Sequence, residues 1–175
     1  EKATRSLEPL LATPITTGYS RTQIALHWAV AALVAAQYLL NDAIAAAWKA
    51  HVQNIAYSFD PLILAHVVGG ALILVLVLWR IALRVTRGAP PLPKEEPPAL
   101  ALLARLAHLT FYAVLIALSA SGALAWFADV RPAASVHNVL KVVLLALIAL
   151  HILAVIFHQI VLKSGVMLRM VRPGA

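Results

Sequence analysis

The chain has 175 residues, of which 62% are hydrophobic and only 12% charged, with a mean hydropathy of +0.88. A soluble domain of this length carries about twice that share of charge, so the composition excludes a water-soluble fold and leaves one compact membrane bundle. With no cysteine there is no disulfide, no thiolate metal site and no CxxCH cofactor attachment. The net charge of +7 reflects basic residues flanking apolar spans rather than nucleic-acid binding.

Residues 1–20 mix charge, proline and threonine without a period and read as a loose cytoplasmic arm. They lack the basic start and apolar core of a cleavable signal peptide. The first predicted span runs from Thr22 to Leu40, with a helical extension through Trp48, and carries His27 and Trp28 near its start. Lys49 to Asp60 is a polar connection containing a solvated His51. The second span starts at Pro61, a residue suited to a first helical turn, continues to about Leu83, and carries His66. Gly88 to Ala99 (GAPPLPKEEPPA) is a proline-rich, solvent-exposed connector. The third span covers Leu100 to Phe127, with His108 near its start, and Asp129 to Ser135 forms a turn. The fourth covers Val136 to Lys163, carries His137, His151 and His158, and is followed by a basic tail. Each span meets the roughly 20 residues needed to cross a bilayer. The predicted fold is therefore an all-α bundle of four transmembrane helices. It divides into an arm (1–20), a membrane domain (21–170) and a tail (171–175).

Eleven basic residues fall on one side: Lys2, Arg5, Arg21, Arg80, Arg84, Arg87, Lys94, Arg105, Lys163, Arg169 and Arg172. Lys49 and Arg131 fall on the other, and Lys141 lies within the last span. By the positive-inside rule both termini and the proline-rich loop are expected to be cytoplasmic.

That topology sorts the histidines by depth. His66 and His137 lie toward the outer side, His27 and His151 toward the inner. His137 and His151 are 14 residues apart in sequence, which puts them within about 40° of one helix face and roughly 21 Å apart along the axis. Imidazoles inside a membrane are costly and usually face the bundle interior. Paired across an apolar gap, they suit the axial positions of haem iron, whereas zinc wants three or four ligands. Without cysteine the haem would be non-covalent, b-type. Gly70, one turn past His66, gives a flat macrocycle room at the backbone. Spacing leaves one choice open: His158, seven residues after His151, shares its face and pairs with His27 about as well. Arg21 and Arg80 read as propionate partners or as topology anchors. Lys141, one turn past His137, either snorkels outward or makes the outer pocket electropositive. His108 has no evident partner and is not assigned as a ligand. Trp28, Trp48, Trp79 and Trp126, near span ends, read as interfacial anchors.

YSRTQIALHW (Tyr19 to Trp28) resembles the opening motif of the bacterial cytochrome b561 family. AHVVGGALILVLVLWRIALR (Ala65 to Arg84) is similar to that family's second helix, and AHLTFYAVLIALSASGALAWF (Ala107 to Phe127), with its late Ser-Gly, to the third. The two fourth-helix histidines and FHQIVLKSGVMLRM (Phe157 to Met170) complete the match, which covers Tyr19 to Met170. The resemblance implies a multi-pass cytochrome of the bacterial inner membrane with two haem b groups, ligated by His27, His66, His137 and His151. By this analogy alone His151 takes precedence over His158. It also implies electron transfer between an outer donor, with superoxide among the candidates, and the ubiquinone pool. Lys141 would favour an anionic donor. The alternative it carries is a haem-b subunit linking a partner dehydrogenase or hydrogenase to quinone. The expected partners are thus lipid, quinone and a small-molecule or protein donor.

Overall fold

The computed structural model describes residues 18–90 and 97–174. Most of the N-terminal arm, the middle of the proline-rich connector and the last residue lie outside the described residues. Five helices follow in order: α1 (Arg21–Leu39), α2 (Asn41–Val52), α3 (Pro61–Arg87), α4 (Pro98–Ala128) and α5 (Arg131–Ile160). A 3-10 turn, Leu168–Met170, closes the chain. Four of the helices, α1, α3, α4 and α5, are long and apolar enough to cross a membrane, as expected. The described residues contain no strand.

Local chemistry sets the ends. Ser20 and Gln23 form a reciprocal capping box: the Ser20 hydroxyl accepts from the Gln23 amide at 3.3 Å, and the Gln23 side chain accepts from the Ser20 amide at 3.0 Å. The helix then breaks at Leu40 (φ −88, ψ 0), so the stretch through Trp48 is a separate helix rather than an extension of the first span. α2 runs on to Val52, which shortens the expected Lys49–Asp60 connection. Asp60 caps α3, its carboxylate accepting from the Leu62 amide at 2.8 Å, with Pro61 in the first turn. The largest difference from expectation is at the last link. Asp129 to Ser135 is not a turn: Asp129 ends α4 in the left-handed conformation (φ 51), and α5 begins at Arg131. Pro132 does not prevent this, because a first-turn residue has no intrahelical N–H bond to lose.

α3 packs between α1 and α4, α5 packs chiefly on α4, and α2 folds back over α3. Val30 and Val34 of α1, Ile73 and Val77 of α3, Val114 and Leu115 of α4 and Leu144 of α5 form the buried core. Leu144 lies seven residues from both His137 and His151, so this packed layer separates two levels of the bundle. The outward faces are apolar as well. α5 buries only Ala133 and Leu144, while Val139, Val142, Leu145, Leu150, Ile152 and Leu153 point outward. A helix apolar all round belongs in lipid.

Candidate functional site

On one side of the packed layer lies a cavity of about 380 Å³. α3 contributes His66 and Gly70, α5 contributes His137 and Lys141, and α2 closes it with Asn41 and Trp48. The rings of His66 and His137 stand edge-on to one another, with planes 63° apart and centroids 6.5 Å apart. Two metal–nitrogen bonds of about 2 Å each, plus the reach from nitrogen to ring centre, add up to roughly 6 Å. The observed spacing therefore admits one metal ion between the rings.

His137 is held from behind. Its Nδ1 lies 2.9 Å from the Leu118 carbonyl and 3.4 Å from the Ser121 hydroxyl. A carbonyl can only accept, so Nδ1 carries the proton and Nε2 is left as the electron-pair donor. Ser121, buried, donates to the Ala117 carbonyl at 2.6 Å. Gly122 matters by what it lacks: a Cβ there would stand 3.1 Å from His137 Cε1 and 3.2 Å from Nδ1. His66 is less supported, since its buried Nδ1 has no hydrogen-bond partner. Gly70 has open space where a Cβ would project and lines the cavity, while its neighbour Gly69 is tightly covered by the Gln37 side chain. Two opposed imidazoles, an orphaned ring nitrogen and an open glycine beside a largely apolar cavity fit a flat, iron-bearing macrocycle.

Lys141 turns inward. Its ammonium donates to the Asn41 side-chain oxygen at 2.7 Å, and its carbonyl accepts from the Tyr38 hydroxyl at 2.6 Å. The residue lines the cavity beside His137.

On the other side of the packed layer, His27 stands within electrostatic reach of Arg80, His151 and His108. The His151 ring contacts His108 at 6.2 Å and Phe111 at 5.5 Å, both edge-on. His108, for which the sequence offered no evident partner, has Nδ1 at 2.6 Å from the Ala104 carbonyl of its own helix. Arg80 donates to the Gln23 carbonyl at 3.2 Å and lines a small pocket with Arg84, His108, Tyr112 and Met170. Arg21 is exposed at the first position of α1, apart from the residues lining either pocket. His158 sits in the last turn of α5, where its Nδ1 approaches the Ser164 hydroxyl at 3.3 Å.

Three sequence readings change. His51 is not merely solvated, because its Nε2 lies 3.0 Å from Asp129 Oδ1. Trp28 does more than anchor an interface: its indole donates to the Met170 carbonyl at 2.8 Å and fastens the tail. Trp48 and Trp126 line the cavity. Asn41, Tyr38 and Leu118 had no signal in the sequence. Ser121 and Gly122 did, as the late Ser-Gly of the third span, but without a role.

The family model described as prokaryotic cytochrome b561 matches residues 18–173. A cytochrome b562 of Cereibacter sphaeroides is 36% identical over 156 residues, spanning 89% of this chain and 96% of that relative. A probable superoxide oxidase, CybB, of Yersinia pestis is 31% identical over 176 residues, spanning 87% of this chain and 94% of that relative.

Proposed function

This chain belongs to the prokaryotic cytochrome b561 family, multi-pass haem b electron carriers of the inner membrane, and from that premise we propose that it moves electrons from a donor at the α2-covered face to ubiquinone at the opposite face. His66 and His137 hold one haem b in this reading, and His27 and His151 hold the other. Haem b between two imidazoles supplies reversible one-electron oxidation and reduction without an open coordination position. The observation that carries the reading is the opposition of His66 and His137 at 6.5 Å across a 380 Å³ cavity. His137 presents Nε2 because its Nδ1–H donates to the Leu118 carbonyl. Gly70 leaves open space at the wall, and the packed layer separates the two levels.

The excess of basic residues around the start of α1, the end of α3 and the tail supports a cytoplasmic position for that face. The α2-covered face is then periplasmic. Superoxide is the donor we favour there. The Yersinia pestis relative is named a probable superoxide oxidase, and Lys141 places a positive charge in the cavity wall, which attracts small anions. The balance is simple: two superoxide ions each lose one electron and leave as dioxygen. The quinone gains two electrons and takes two protons from the medium to leave as quinol. Arg80, Arg84, His108 and Tyr112 give the opposite face a polar pocket suited to a quinone carbonyl and to propionates.

A pyridine haemochrome assay tests the core of this. About two haems per chain are expected, falling to about one in His66→Ala or His137→Ala, with no further loss in the double variant. Superoxide added to the oxidised protein should reduce it within mixing time. An unchanged spectrum removes superoxide as donor, and copurification of a stoichiometric dehydrogenase would then identify the chain as its membrane subunit.

A further inference from the structure

The lysine in the cavity wall raises a question of its own. Lys141 lies ten residues into α5, about 15 Å from its start. A lysine at that depth ordinarily extends along the helix to bring its ammonium to the interface. Here two residues flanking the break at Leu40 engage it. Tyr38, one residue before the end of α1, donates to the Lys141 carbonyl at 2.6 Å. Asn41, the first residue of α2, accepts from the ammonium at 2.7 Å. One holds the backbone and the other the charge.

The chemistry of the grip matters. Lysine has only donors, so the asparagine oxygen must face it and the asparagine nitrogen must face away. That nitrogen donates to the Asp42 carboxylate at 3.2 Å. The acid next in sequence is thereby tied to the amide, on the exposed side of α2. The acid at the far end of α2's reach, Asp129, is engaged by His51. Lys141 is therefore fixed by a neutral acceptor, which sets its position without cancelling its charge. Lys141 lines the same cavity as His66 and His137.

We propose that Asn41 is a positioning residue: it keeps the Lys141 ammonium inside the cavity, where the fixed positive charge favours the reduced state of the haem held by His66 and His137. This rests on the reading of that pair as haem ligands. Charge and hydrogen bonding around a haem are established levers on its potential, and an ammonium in a poorly hydrated site acts at greater strength than one in water.

The test is a potentiometric titration of the haem-loaded protein. Lys141→Met should lower the midpoint potential of one of the two haems. Asn41→Ala should lower the same haem, because the freed side chain swings to the interface. The double variant should match Lys141→Met alone, since both changes remove one interaction. Asn41→Asp keeps the shape and the hydrogen bond but neutralises the charge, so it should lower the potential too, and it carries the test if the alanine variant loads haem poorly. An unchanged potential in Asn41→Ala and Asn41→Asp, or an additive double variant, overturns the assignment. Failure of the underlying reading would show elsewhere, as an undiminished haem content in His137→Ala.

Discussion

The Nδ1 of His137 lies 2.9 Å from the carbonyl oxygen of Leu118, on the neighbouring helix α4. This one contact fixes the tautomer, the ring plane and the direction of Nε2 before any cofactor arrives. Imidazole ligands oriented in this way are set by the shell behind them, and loss of such a partner typically weakens a metal site 10-fold or more, on the order of 10 to 100. His66 has no such partner on its buried Nδ1, so the two ligands of the proposed outer site are unequal, with His137 the fixed post.

Gly122 is where this can be tested without touching a ligand. An added Cβ would stand 3.1 Å from His137 Cε1, so the ring must give by a few tenths of an ångström. Gly122→Ala is expected to fold and keep both haems but to shift the low-spin EPR signature of one of them. Gly122→Leu should lose that haem, leaving about one per chain. Identical EPR spectra and haem content in both variants would show that the ring is not seated against α4.

His158 separates the site reading from its nearest rival. It shares a helix face with His151, but it lies in the last turn of α5 against Ser164, whereas His151 lies against His108 and Phe111 in the bundle. His158→Ala is expected to retain two haems per chain and His151→Ala about one. The reverse order would make His158 the ligand.

The sequence shows the four spans because they follow from a one-dimensional quantity, apolar run length; helical rise sorts the histidines by depth but leaves His151 and His158 open. It does not show what depends on contacts between helices. Nothing in NDAIAAAW announces that the chain breaks at Leu40, and that break is what delivers Asn41 to Lys141 from 100 residues away. The Leu118 carbonyl meets His137 through the packing of α4 on α5, and any residue could supply that carbonyl. The Ser-Gly at 121 and 122 was visible as a motif, yet its meaning is the space beside an imidazole on another helix. Ser20 and Gln23 differ in this respect: their S-x-x-Q spacing states a capping box outright.

α2 is fastened over the cavity at both ends, by Asn41 to Lys141 and by His51 to Asp129. The second fastening is exposed, and exposed pairs are worth about 0–1 kcal/mol. Its loss should therefore open the cavity modestly. The chain has no cysteine, so a single Ala134→Cys in the cavity wall can be labelled with an impermeant maleimide. His51→Ala is expected to speed labelling by no more than about fivefold, matching that energy range. No change would mean that the His51–Asp129 contact does not help hold α2 over the cavity.

The tail is fastened at the opposite face by two bonds to α1 and its lead-in. The Trp28 indole donates to the Met170 carbonyl at 2.8 Å, and the Gly174 amide donates to the Tyr19 carbonyl at 3.2 Å. Met170 and Tyr19 also wall the pocket beside His108, so the tail decides how much of that polar pocket is open. Trp28→Phe keeps an aromatic ring but removes the donor, at a cost of about 1 kcal/mol. Local release of the tail should then rise about fivefold, since 1.4 kcal/mol is a factor of about ten. Limited trypsin cleavage after Arg169 in mild detergent reads this directly. Trp79→Phe, at a half-exposed position on the outward side of α3, serves as the control and should leave the cleavage rate unchanged. Equal rates in both variants would reduce Trp28 to an interfacial anchor. Faster cleavage in Trp28→Phe alone would make the indole the clasp that holds the pocket wall in place.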